Sequence, residues 1–194
     1  MNWLRPPGPI APGLRIGLLG GSFNPAHEGH LYVGEVARKR LGLDYVWWLV
    51  APQNPLKPVA DMAPLEKRLA AARALAGRDP RLIVTDLERS LGTRYTIDTL
   101  KALTRRFRGV RFVWLMGSDN LDQFHRWRRW TEIARIVPIA VVERSGSLLA
   151  PLRAKAMQRF ALSRAQTLHP PPAIIIVDGR RNEGSATAIR NVSG

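Results

Sequence analysis

The sequence predicts an α/β fold, a doubly wound parallel sheet. Two observations carry that expectation. Short apolar runs alternate with amphipathic helical patterns along almost the whole chain. A glycine-rich turn directly follows the first run and opens the first helix, as at ligand-binding edges of such sheets. Residues 1–13 hold four prolines and read as a flexible tail without the long apolar core of a secretory signal. A single domain is expected over 14–194.

The elements follow in order. Leu14 to Leu19 reads as a buried strand. Gly29 to Leu41 reads as a helix, with Leu31, Val33, Val36, Ala37 and Leu41 at helical spacing. Tyr45 to Ala51, YVWWLVA, is a second strand. Pro52 to Pro64 carries four prolines and must be a loop. Leu65 to Ala76 is amphipathic, with Leu65, Leu69, Ala72 and Ala76 on one face. Pro64 suits its first turn and Gly77 its end. Arg81 to Leu87 is a third strand. Thr96 to Phe107 is a helix with Ile97, Leu100, Leu103 and Phe107 inward, and Val110 to Met116 is a fourth strand. Asn120 to Trp130 reads as an aromatic helix, Val137 to Val142 as a fifth strand, Leu152 to Leu162 as a basic helix and Ala173 to Val177 as a sixth strand. Right-handed crossovers then gather the ligand-binding loops at the carboxyl ends of the strands.

Composition narrows the class. With 194 residues, 45% hydrophobic and 23% charged, the chain is no disordered segment, collagen-like repeat or coiled coil. No apolar run approaches the ~20 residues that span a bilayer, so no membrane partner is expected. The absence of cysteine excludes a disulfide scaffold, a thiolate zinc site and a cysteine nucleophile. It fits a reducing compartment, and a cytoplasmic location is expected. The net charge of +15, mostly arginine, suits anionic partners: nucleotides, phosphorylated metabolites or nucleic acid. No RRM, KH or helix-turn-helix signature accompanies it, so nucleic acid is not the expected partner.

The chemistry concentrates after the first strand, in Gly20-Gly21-Ser22-Phe23-Asn24-Pro25-Ala26-His27-Glu28-Gly29-His30. Paired glycines let backbone N–H groups approach a ligand, and a helix N-terminus just beyond favours an anion. Half of the four histidines of the chain fall in this turn. Imidazoles there can donate hydrogen bonds to phosphate oxygens. A zinc reading of His27 and His30 lacks a third ligand, and no metal site is expected on the protein itself. Thr93 to Thr96 opens a later helix with free N–H groups, where a carboxylate would sit well or Thr96 would simply cap. Asp119, after Gly117 at the end of the fourth strand, can cap the next helix, accept from ribose hydroxyls, or do both. Trp127 and Trp130 lie three apart, and core packing is an open reading for Trp130.

GSFNPAHEGH resembles the GxFxPxHxGH signature of the HxGH nucleotidyltransferase superfamily. Gly92 to Leu100 resembles the RYTxDTL segment of bacterial nicotinate-nucleotide adenylyltransferases. Gly117 to Leu121, followed by Phe124 to Trp127, is similar to their GxDxL…W segment, and Ser185 to Arg190 to their SSTxIR segment. The resemblance covers roughly residues 14 to 191. It implies a Rossmann-like sheet of the nucleotidyltransferase type and transfer of AMP from ATP to nicotinate mononucleotide, with magnesium accompanying ATP. It implies ATP contacts from Gly20, Gly21, Ser22, Phe23, His27, His30, Gly117, Asp119, Ser185, Thr187 and Arg190. It implies substrate contacts from Thr93, Arg94, Tyr95, Thr96, Asp119 and Trp127. His27, His30, Lys57 and Arg190 are the expected catalytic residues. The chain departs from the pattern at Leu56, Gly184 and Ala186, and it stops at Gly194 where the family usually continues. Other readings remain open: a nicotinamide-mononucleotide or phosphopantetheine adenylyltransferase, or a basic nucleic-acid-binding protein on a degenerate nucleotide fold. A homo-oligomer is compatible with all of them.

Overall fold

The computed structural model describes residues 5–53, 62–143 and 150–179. Seven parallel strands form one sheet in the order β3-β2-β1-β4-β5-β7-β6. They are β1 (Arg15–Gly21), β2 (Tyr45–Val50), β3 (Leu82–Thr85), β4 (Arg111–Gly117), β5 (Ile139–Glu143), β6 (Arg164–Ala165) and β7 (Ile174–Asp178). The helices are α1 (Glu28–Leu41), α2 (Leu65–Ala76), α3 (Leu87–Leu91), α4 (Thr96–Arg106), α5 (Ser118–Phe124), α6 (Trp130–Ile136) and α7 (Lys155–Arg159).

Strand alternation splits the core in two. Ile16, Leu18, Trp47 and Trp114 face one side, where Leu87, Ile97, Leu100, Leu103, Phe124 and Ile133 from α3 to α6 cover them. Leu19, Trp48, Val113 and Leu115 face the other, under Val33 and Ala37 of α1 and Leu69, Ala72 and Ala76 of α2. Central strands buried on both faces explain why the sequence shows unbroken apolar runs. Trp47, Trp48 and Trp114 are almost completely buried; truncating a buried aromatic typically costs about 3–5 kcal/mol.

The chain runs outward from β1 through β2 to β3, then returns to lay β4 against the other side of β1. The order reverses between β1 and β4, and the carboxyl ends of these two strands open a crevice there.

Four expectations are corrected. The third strand ends at Thr85, and Leu87 instead opens the short helix α3. The helix expected over 120–130 is two helices, because Arg129 adopts a left-handed conformation (φ 53°). The break lets Trp127 and Trp130 each pack edge-on against Phe124, at ring distances of 5.4 and 5.8 Å. The basic helix of 152–162 shrinks to α7 between two 3₁₀ turns, and β6 is a two-residue edge strand beside β7. The prolyl segment before β1 lies on the body: a β-carbon on Gly8 would stand 2.2 Å from Ile83, and Gly13 N–H donates to Gly109 O at 2.8 Å. No described helix is long and apolar enough to cross a membrane.

Candidate active site

A cleft of about 230 Å³ opens at the carboxyl ends of β1 and β4. Gly20, Gly21, Ser22, His27 and His30 line it from one side, and Gly117 and Asp119 from the other. The structure thus gathers seven residues that the sequence places in two separate segments.

The histidines are fixed by their own backbone. His27 caps α1, and its Nδ1 accepts the Gly29 N–H at 3.1 Å. The His27 N–H in turn donates to His30 Nδ1 at 3.3 Å. This is a reciprocal capping box built from two imidazoles. An Nδ1 that accepts carries no proton, so the neutral rings hold theirs on Nε2. The ring centroids are 4.0 Å apart, and the two rings offer two Nε2–H donors at one helix entrance.

The two glycines differ in purpose. A β-carbon on Gly20 would stand 2.4 Å from the Trp114 ring, so that position is glycine for packing. A β-carbon on Gly21 would meet nothing closer than 3.5 Å, and would stand 3.9 Å from His30 Nε2. Gly21 keeps space beside that nitrogen open. The ring of Phe23, a residue expected to touch ATP, is buried at 1% exposure with φ 49°. Its ring stacks on His30 at 4.4 Å and on Trp48 at 5.4 Å. It is the platform that orients His30.

The expected nicotinate contacts lie on the opposite face of the sheet. Tyr95 precedes α4 with extended backbone, Thr96 starts the helix, and Arg128 stacks over the Tyr95 ring at 4.6 Å. Arg94 lies 5.9 Å from the same ring. Trp127 packs edge-on against Trp114 at 5.9 Å. Trp114, filling the place of a Gly20 side chain, therefore links the two halves. Thr93, Arg94, Tyr95, Thr96 and Trp127 are not part of the cleft lining. Trp130 packs between Phe124 and Phe160, both at 5.8 Å, as a structural ring. Lys57, Ser185, Thr187 and Arg190, with the departures at Leu56, Gly184 and Ala186, lie outside the described residues.

Two residues escaped the sequence reading. Arg68 is 3% exposed and donates to four carbonyls: Ser22 O and Ala51 O at 2.7 Å, Ala63 O at 2.8 Å and Pro52 O at 2.9 Å. Desolvation lowers its pKa from the usual arginine value. It fastens the first turn of the cleft to both flanks of the stretch between Pro52 and Ala63. Its signal was present: Arg68 sits three after Leu65 and four before Ala72, inside the apolar stripe of α2. The second is Glu88, 6% exposed, whose Oε1 accepts from Thr99 Oγ1 at 2.9 Å. Burial pushes its carboxyl up to about 7, against the Thr99 hydrogen bond. It lies one residue past an apolar run, where sequence periodicity carries no information.

Among the described residues, no group of three or more His, Asp and Glu could hold a metal ion. A larger cavity of about 980 Å³, lined by Arg15, Lys39, Arg40 and Arg111 among others, lies at the amino ends of the strands, away from the cleft.

A family model described as cytidylyltransferase-like matches residues 18–192. A protein of Parvibaculum lavamentivorans, named "Probable nicotinate-nucleotide adenylyltransferase", is 52% identical over 193 residues, 95% of either chain. One of the same name from Methylorubrum extorquens strain PA1 is 51% identical, covering 91% of this chain and 99% of its own. Among solved structures, nicotinic acid mononucleotide adenylyltransferase of Plasmodium falciparum complexed with NaAD superposes with a TM-score of 0.67 at 16% identity, over 87% of this chain and 76% of that one. At that identity the likeness is one of fold.

Proposed function

The chain belongs to the nicotinate-nucleotide adenylyltransferase family of cytidylyltransferase-like proteins, and from that premise we propose that it transfers AMP from ATP to nicotinate mononucleotide, giving deamido-NAD and pyrophosphate in NAD biosynthesis. The observation that carries the reading is the imidazole pair of the cleft, with Nε2–H donors beside the open space at Gly21.

The chemistry needs little more. The phosphate of the mononucleotide is already an anion and attacks the α-phosphorus without a protein base. The bond from that phosphorus to the bridging oxygen breaks, and charge grows on pyrophosphate. His27 and His30 donate to it, aided by the backbone N–H groups of Gly21 and Ser22. Lys57 and Arg190 are proposed as further phosphate contacts. Magnesium is proposed to arrive on ATP and to neutralise phosphate charge; the donor set fits an ion held chiefly by phosphate oxygens, with Asp119 the carboxylate in the cleft. The ordered start of α4 is proposed to receive the nicotinate carboxylate, and Trp127 to stack on the pyridine ring. Because the reaction draws on ATP, we propose that it runs in the cytoplasm.

The test is pyrophosphate release from ATP and magnesium with nicotinate mononucleotide or its amide. An amide would set N–H₂ against backbone donors, so kcat/KM is expected to favour the acid by roughly 5- to 150-fold. Trp127→Ala is expected to lower both values and leave most of the ratio, because stacking hardly senses the substituent. No turnover on either mononucleotide would overturn the reading; equal use of both would overturn the carboxylate assignment.

A further inference from the structure

Three hydroxyl or carboxyl oxygens form a chain beneath the start of α4. Glu88 Oε1 and Thr99 Oγ1 are 2.9 Å apart, and Thr99 Oγ1 and Thr93 Oγ1 are again 2.9 Å apart. Thr99 is fully buried, while Thr93 is half-buried and stands at the proposed nicotinate pocket. The backbone is tied to the same carboxyl-bearing residue: Thr93 N–H donates to Glu88 O at 3.0 Å.

A hydroxyl has one proton to give, so the direction of such a chain is set at its inner end. With Glu88 ionised, its oxygen only accepts. Thr99 must point its proton inward to Glu88, and Thr93 then points its own at Thr99. The outer face of Thr93 is left with lone pairs. With Glu88 protonated, the carboxyl O–H donates to Thr99. Thr99 gives its proton to Thr93 or to Tyr95 O, 3.4 Å away. In the arrangement where Thr99 donates to Thr93, the Thr93 proton is released and can point outward.

We propose that Glu88 is a positioning residue whose protonation turns the Thr93 hydroxyl into a donor toward the carboxylate of the pyridine substrate. The inference rests on the substrate reading above. It makes acid-over-amide selectivity proton-linked: the protonated chain favours a carboxylate, and the ionised chain presents lone pairs that favour an N–H₂ group.

The carboxyl of Glu88, held up to about 7, would change state near neutral pH. Ionisable groups on the neighbouring elements include Asp86 and Arg89 beside it, Glu66 and Arg68 on α2, Tyr45 on β2, Arg94 and Tyr95 before α4, Asp98 and Lys101 on α4 and Arg5 in the N-terminal segment. Arg89 is engaged with Glu66 and Asp86. Desolvation and the Thr99 hydroxyl, not a charged neighbour, set the Glu88 titration.

The experiment is the ratio of kcat/KM for nicotinate mononucleotide to that for nicotinamide mononucleotide, from pH 6 to pH 8.5. The ratio cancels titration of the phosphate common to both. The wild-type ratio is expected to fall about tenfold across the range, the worth of one hydrogen bond to a charged group. Glu88→Gln cannot ionise and Thr99→Val cuts the chain, so both are expected to show a flat ratio; Thr99→Ser keeps the hydroxyl and is expected to restore the slope. A flat wild-type ratio, or the same slope in Glu88→Gln and Thr99→Val, would overturn the proposal while leaving the activity standing. A purely structural role would lower both substrates together at every pH. Absence of turnover on either mononucleotide would remove the proposal along with the activity itself.

Discussion

His30 shows how much one side chain is asked to do. Its Nδ1 receives the His27 N–H, its ring lies on Phe23, and its Nε2 borders the open space at Gly21. Removing a donor placed where charge develops typically costs about 2.7–4 kcal/mol of barrier. His30→Ala is therefore expected to lower kcat by roughly 10²- to 10³-fold while changing the KM for nicotinate mononucleotide little, as steady-state kinetics will show. The place of the two histidines was legible because a glycine-rich turn between a strand and a helix leaves few other geometries. The role of Phe23 was not. A residue inside a ligand-binding motif reads as a ligand contact, and only packing reveals that its ring lies beneath the imidazole.

At the scale of elements, the hydrogen bonds that matter most are those that periodicity cannot register. Arg68 belongs to α2, yet all four of its bonds leave the helix. An ammonium is a point donor and cannot copy the planar fork. Arg68→Lys is expected to destabilise the protein by about 3 kcal/mol, because buried carbonyls lose their donors; thermal denaturation checks it. Glu88 on α3 acts in the opposite sense. Its carboxyl is held above its unfolded value, so burial favours the neutral form. Below about pH 4.5 both states are protonated and nothing is lost. Between there and about pH 7 the unfolded chain ionises first, and folding stability falls; above pH 7 the cost is complete, about 3 kcal/mol. Glu88→Gln is accordingly expected to raise Tm at pH 8 and to leave it nearly unchanged at pH 4. The helix break at Arg129 was equally hidden. The spacing of Phe124, Trp127 and Trp130 suits a continuous helix, and what overrides it is the packing of both indoles on one phenyl ring.

The sheet as a whole was the most legible part. Six of its strands announce themselves as apolar runs, since a strand buried on both faces has no polar positions to interrupt it. The two-residue β6 carries no pattern of its own and exists only because β7 has a free edge. The crevice between β1 and β4 follows from strand order, so the turn after the first strand could be assigned to a site before any distance was known. The proposed nicotinate pocket on the far face of the sheet was less legible, because its link to the cleft runs through Trp114 and Trp127, a contact between residues on different elements. The anchoring by Arg68 has one more consequence, for how such a chain can diversify. With Ala51, Pro52 and Ala63 pinned to one guanidinium, closure of the intervening stretch is secured at its two ends. The entropy of a closed loop grows only with the logarithm of its size, so doubling that stretch costs roughly 0.6 kcal/mol. On the closure term alone, insertions and deletions between the pins are expected to cost folding little, while the guanidinium holds the cleft beside them in shape.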